Sequence, residues 1–174
     1  MPSDQIIAII PASGKGRRFG MPKAEAVLAG KSFADIIKEL LHSAGIAQVH
    51  CPKNLETGSM LETLRHAISE LKDQQALGYL IHPVDHPFVK ASTIKLLIET
   101  FKSLPDSTIR PSFQGKSGHP VIVPSWLNID ADDNDKGLAG LIRSQVCTVI
   151  DIPVDDEGVL RNINSPEALH SLEG

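Results

Sequence analysis

The chain has 174 residues and a mass of 18.8 kDa, with 41% hydrophobic and 22% charged residues, a composition that suits one globular domain over residues 1–174 and excludes a disordered or fibrous chain. Seventeen basic against twenty-one acidic residues leave a formal charge of −4, so there is no global cationic field to hold nucleic acid or an anionic membrane, and any phosphate ligand must be bound locally. Cys51 and Cys147 form no CxxC pair or zinc spacing, the start of the chain lacks a basic leader, and the longest apolar run, residues 6–12, is too short for a bilayer; a protein of the reducing cytoplasm is expected.

Residues 5–10, Gln-Ile-Ile-Ala-Ile-Ile, are a continuous β-branched run, the pattern of a strand buried on both faces of a parallel sheet. A Gly-rich basic turn over residues 11–20 leads to a helix over 32–41, whose Phe33, Ile36, Ile37, Leu40 and Leu41 follow helical spacing, with Ser32 as its N-cap and Gly45 as its stop. A short strand is predicted at 46–50, a helix at 61–71 and a buried strand at 78–82. Ser92 is predicted to cap the next helix, which carries Ile94, Leu97, Ile98 and Phe101. Extended segments at 107–110 and 121–123, a helix at 138–144, a strand at 146–150 and a last helix at 166–172 complete the chain. The expected fold is α/β, with a mostly parallel sheet and helices on both faces. Such sheets bind ligands beyond the carboxyl ends of their strands.

The first loop, Pro-Ala-Ser-Gly-Lys-Gly-Arg-Arg-Phe-Gly-Met-Pro-Lys over residues 11–23, packs four cations and three glycines into the turn after that strand. Glycines let backbone N–H groups converge on an anion, Arg supplies forked donors and Lys a point charge, so the composition is that of a polyphosphate site. Arg17 after Gly16 rules out GxxxxGK[ST], and Phe19 stands where a dinucleotide fingerprint needs Gly.

The run Ala12-Ser13-Gly14-x-Gly16-x-Arg18-Phe19-Gly20-x-Pro22-Lys23 resembles the signature loop of the nucleotidyltransferases that include the molybdenum cofactor cytidylyl- and guanylyltransferases and the sugar-phosphate and methylerythritol-phosphate nucleotidyltransferases. The resemblance implies a three-layer αβα Rossmann-like sandwich of the nucleotide-diphospho-sugar transferase type. It places Arg18 and Lys23 on the triphosphate, as catalytic groups, and Ala12, Ser13, Gly14 and Gly16 near the nucleotide.

Further along, Leu80-Ile81-His82-Pro83-Val84-Asp85-His86-Pro87 resembles the family's metal-binding Asp-x-Pro segment, which implies that Asp85 coordinates Mg²⁺ and that His86 replaces a frequent Gln near the acceptor. His82 and His86 flank Asp85, but no third histidine lies at metal spacing. Gly118-His119-Pro120 followed by an apolar strand resembles the cytidylyltransferase branch, where this loop lies beside the acceptor; Gly118 and His119 are assigned there. Asn54, Gly58, Ser59 and Thr63 resemble the base- or ribose-proximal segment. The closing run Arg161-Asn162-Ile163-Asn164-Ser165-Pro166-Glu167-Ala168-Leu169 resembles Asp-Ile-Asp-Thr-Pro-Glu-Asp-Leu with both aspartates replaced, which leaves Asn164 as an amide ligand to the metal or, with Ser165, as a helix cap. Relatives carry a further strand and helix before residue 54 that this chain lacks.

The resemblance thus implies a Mg²⁺-dependent transferase that moves a nucleoside monophosphate from an NTP, CTP favoured, to a phosphorylated small-molecule acceptor of molybdopterin type, releasing pyrophosphate. A molybdoenzyme or its chaperone is the protein partner such a product implies. Two alternatives stand beside it: a weak or inactive nucleotide or cofactor-precursor binder, and a sugar-phosphate nucleotidyltransferase.

Overall fold

The computed structural model describes residues 4–12, 25–52, 58–132 and 136–173. The opening β-branched run forms β1 (Ile6–Ile9), every residue of which is buried. Ile6, Ala8 and Ile10 face one core cluster and Ile7 and Ile9 the other, so the lack of polar alternation reflects burial on both sides. A small antiparallel hairpin, β2 (Val27–Leu28) with β3 (Lys31–Ser32), enters α1 (Phe33–Ser43). Ser32 caps that helix as expected, its hydroxyl accepting the N–H of Asp35. From α1 the chain passes through residues 44–48 directly to β4 (Val49–His50), without a further helix. Then come α2 (Met60–Glu70), β5 (Gly78–Ile81), α3 (Ala91–Ser103), β6 (Thr108–Phe113), β7 (Lys116–Ser117), β8 (Val121–Pro124), α4 (Gly137–Ser144), β9 (Val149–Pro153), a 3-10 turn at Glu157–Val159 and α5 (Pro166–Glu173).

The main sheet runs β4-β1-β5-β8-β6-β7, with β9 on the other edge of β6. Strands β4, β1, β5, β6 and β9 point one way, while β8 and β7 run against them. The sheet is therefore mixed in its pairing and mostly parallel in direction. Helices α1 and α3 bury Phe33, Ile37, Leu41, Ile94, Leu97 and Phe101 on one face, with α5 packed beside them. On the other face α2 and α4 bury Leu61, Leu64, Leu138, Leu141 and Ile142. This is the expected αβα sandwich.

Two local expectations are corrected. Ser92 lies inside the first turn of α3; the N-cap is Lys90, which makes no side-chain cap bond, and a carboxylate 66 residues away accepts the backbone N–H of Lys90 itself. The strand expected at 146–150 begins at Val149 instead. Val146 is exposed in the left-handed region, φ 55°, and ends the turn after α4. Val-rich sequence near a strand start does not fix where pairing begins, because the partner's register does; here that register starts at Thr108–Val149.

Candidate active site

In the register of β1 with β5, Ile9 lies opposite Ile81, and the N–H of His82 donates to Ile9 O over 3.0 Å. Residues 10–12 and 82–85 therefore leave the sheet side by side, at the carboxyl ends of two adjacent parallel strands. Ala12 is half-buried there. Ser13, Gly14, Gly16, Arg18, Lys23 and Asn54 lie outside the described residues.

The reversed strand β8 brings its amino end to the same edge. Val121 pairs with Ile81, so Gly118-His119-Pro120 lies beside His82-Pro83. Asp85 and His86 join there: His86 Nδ1 donates to Asp85 Oδ1 over 2.8 Å, and the His86 ring meets the His119 ring at 4.7 Å between centroids, inclined by 61°. A third histidine thus joins the Asp85–His86 pair through the fold, by way of the His86 ring, although it stands far from both in sequence. His82 is fully buried, and its Nδ1 donates to Pro83 O over 3.1 Å. Its Nε2, like Nδ1 of His119, is buried without a hydrogen-bond partner among the described residues. Burial pushes the pKa of each of these two rings down from 6.5 to about 4, and the nearby His86 adds to the effect. Both are neutral at physiological pH.

The C-terminal segment holds this edge together. Ile163 donates its N–H to Asp85 O over 2.8 Å, and His119 donates its own to Val159 O over 2.9 Å. Asp156, almost wholly buried, accepts from Lys90 N at 2.8 Å, Thr93 Oγ1 at 2.7 Å and Gly158 N at 3.0 Å, and so ties the start of α3 to the C-terminal segment. The backbones approach closely at two glycines. A Cβ on Gly118 would fall 2.3 Å from Val159 O, and one on Gly158 would fall 2.2 Å from Phe88 O. Asp156 and Gly158 carry no functional motif in the sequence; the Asp-x-Gly spacing of a side chain turning back onto its own backbone is the available signal.

Gly58, Ser59 and Thr63 gather at the start of α2, in a set of hydrogen bonds that close the helix start. Ser59 caps the helix through Glu62 N, the Glu62 carboxylate accepts Gly58 N at 2.6 Å, and Thr63 Oγ1 donates to Ser59 O. This is a capping box. At α5, Ser165 accepts Ala168 N at 3.2 Å, so capping falls to Ser165.

The model of the MobA-like NTP transferase domain matches residues 8–149. This chain belongs to that family. It is an NTP-dependent nucleotidyltransferase of the MobA-like type. Among solved structures, Rv0371c of Mycobacterium tuberculosis H37Rv superposes with a TM-score of 0.80 at 19% identity, with 97% of each chain covered; a further structure of it is a complex with manganese, TM-score 0.72, 17% identity and 97% of each chain. The 2-C-methyl-D-erythritol 4-phosphate cytidylyltransferase of Thermus thermophilus gives 0.68 at 17% identity, and the molybdopterin-guanine dinucleotide biosynthesis protein A of Archaeoglobus fulgidus 0.61 at 22%, each with 97% of both chains covered. No curated protein matches the chain by sequence.

The donor set of this MobA-like transferase suits a hard divalent cation held partly by its substrate. Among the described residues no three His, Cys, Asp or Glu side chains converge as a metal cage. Asp85 offers a carboxylate oxygen, and the backbone bond from Ile163 ties the segment that carries Asn164 to the Asp85 loop. Mg²⁺ binds in this way, through one or two protein oxygens with substrate phosphates and waters completing its shell. No helix among the described residues is long and apolar enough to cross a membrane.

Proposed function

We propose that this MobA-like transferase moves a nucleoside monophosphate from an NTP, CTP favoured, to a phosphorylated acceptor of molybdopterin type in the cytoplasm, and that the whole chain acts as one catalytic domain with Mg²⁺. The observation that carries the reading is the shared exit of the β1 and β5 loops, which supports a triphosphate between the cationic turn and Asp85. Arg18 and Lys23 hold the triphosphate, with Ala12, Ser13, Gly14 and Gly16 lining it and Asn54, Gly58, Ser59 and Thr63 on the nucleoside side. Asp85 and Asn164 hold the cation, which when bound offsets charge on the α-phosphate and on the departing pyrophosphate. His86 orients Asp85 by fixing one carboxylate oxygen.

A phosphate acceptor is anionic at neutral pH, so its oxygen attacks the α-phosphorus in line without a general base. A new P–O bond forms as the bond to the β-phosphate breaks, and pyrophosphate leaves with the electron pair. Gly118, His119 and His86 lie on the acceptor side. The match of Gly118-His119-Pro120 to the cytidylyltransferase branch supports the acceptor class, and delivery to a molybdoenzyme or its chaperone follows from such a product. The test incubates the protein with each NTP, Mg²⁺ and a panel of phosphorylated acceptors while pyrophosphate is followed. Release with CTP and a pterin phosphate upholds the assignment, and release only with sugar phosphates reassigns the acceptor. Asn162 and Asn164, in place of the aspartates of relatives, favour one second reading: a binder that retains nucleotide without turnover, distinguished by an NTP-induced melting shift with no pyrophosphate.

A further inference from the structure

On the α2/α4 face of the sheet, no helix among the described residues covers β6 and β9. Along β9, Ile150 and Ile152 pack into the opposite core, while Val149, Asp151 and Pro153 are exposed. Beside them a groove of about 590 Å³ runs between α4 and β6, a volume on the scale of a small-molecule site.

The topology orients this groove. Helix α4 leads into β9, whose pairing begins at the edge of the sheet opposite the active site, so α4 starts at the active edge and ends away from it. Lys136 and Met60 therefore flank His119 at the mouth, and Arg143 lies at the far end with Val149. Lys136 is the N-cap of α4 and Arg143 lies in its last turn, so the two stand at opposite ends of an eight-residue helix, about 10 Å apart along its axis. Leu138, Ile142 and Val121 supply an apolar wall between them.

The charge is unbalanced. Arg110 in the groove is neutralised by Asp151, which it contacts at 2.5 and 3.2 Å. Neither Lys136 nor Arg143 makes an ion pair among the described residues. The groove thus presents a cation at each end and an apolar wall between, at a site that opens beside His119.

Resting on the transferase reading above, we propose that this groove seats the body of the acceptor, and that the acceptor carries a second anionic group about two helical turns from the phosphate that reacts. Lys136 and His119 take the reacting phosphate, the apolar wall takes an elongated unsaturated or hydrocarbon body, and Arg143 takes the distal anion.

The test compares two fluorescent probes, 2-naphthyl phosphate and 6-carboxy-2-naphthyl phosphate, titrated into the wild-type chain and into Arg143→Gln and Lys136→Gln. Both side chains are exposed, so the variants retain the wild-type melting temperature. The carboxylated probe binds wild type about tenfold more tightly than its parent. Arg143→Gln removes that difference and leaves the parent probe within about twofold of its wild-type affinity, whereas Lys136→Gln weakens both probes. Equal affinity of the two probes for wild type, an undiminished difference in Arg143→Gln, or no binding of either probe overturns the assignment. An NTP-induced melting shift is measured on the same samples. Probes that fail while NTP binds and pyrophosphate is released sink the groove assignment alone, whereas discriminating probes without any NTP response leave an anion-binding groove and sink the transferase reading.

Discussion

The backbone N–H of Ile163 donates to the carbonyl of Asp85 over 2.8 Å, so the segment that carries Asn162 and Asn164 is tied to the loop that carries the carboxylate. An amide oxygen contributes less to cation affinity than a carboxylate, since affinity rises with ligand charge. Asn164→Asp is expected to lower the Mg²⁺ concentration for half-maximal pyrophosphate release several-fold. Asp85→Ala is expected to abolish Mg²⁺-dependent turnover. A metal titration of both variants checks this, and unchanged curves would remove these residues from the metal site.

Lys23→Ala removes a charge from the triphosphate in the proposed site. By analogy with deleting one donor to a developing anion, turnover falls by about 3 kcal/mol in barrier, of the order of a hundredfold. His119→Ala, on the acceptor side, raises the KM for acceptor and leaves that for NTP in place. Steady-state kinetics with each substrate varied in turn separates the two effects.

Acid sensitivity follows from the buried rings. His82 and His119 have pKa values lowered to about 4 by burial, against 6.5 in the unfolded chain. Below about pH 6.5 the unfolded chain takes up protons that the folded one refuses until about pH 4. Stability is therefore full above that window and declines as pH falls through it, by up to about 1.4 kcal/mol per pH unit for each ring. Urea denaturation at pH 7, 6 and 5 measures the slope. His82→Gln makes it shallower, and a wild-type midpoint that stays flat over this range would contradict the account.

Asp156→Ala strips three donors of their acceptor at a buried position, among them the backbone N–H of Lys90, the N-cap of α3. A stability loss of about 3 kcal/mol or more is expected, since each buried donor left unsatisfied costs about 1–3 kcal/mol. Asp156→Asn, which keeps an acceptor oxygen, loses less. Denaturant melts of both variants order them, and equal losses would mean that the charge rather than the geometry matters.

Much of this is legible in the residues. The unbroken β-branched run of β1, the helical spacing of Phe33 to Leu41 and the cap at Ser32 are local signals, and the structure follows them. The reversal of β8 is not legible, because Val121, Ile122 and Val123 look the same whichever way a buried strand runs. The approach of His119 to His86 depends on that reversal, so the histidine cluster is hidden as well. Local reading gives the cap of α3 to the nearest serine, since the carboxylate that holds Lys90 from 66 residues away leaves no local trace. At α2 the residues assigned to nucleotide also spell a capping box, and one sequence serves either description.

The supports at Val159 and Ile163 carry a practical warning for anyone drawing boundaries on this chain. The region that matches the family ends at residue 149, short of Asp156, of the glycine packed on Phe88 and of both backbone ties to the active edge. A clone cut where the homology fades would keep the signature loop, Asp85 and His119, yet lose the scaffold that registers one against another. Its failure to turn over would then report the position of the stop codon and nothing about the chemistry.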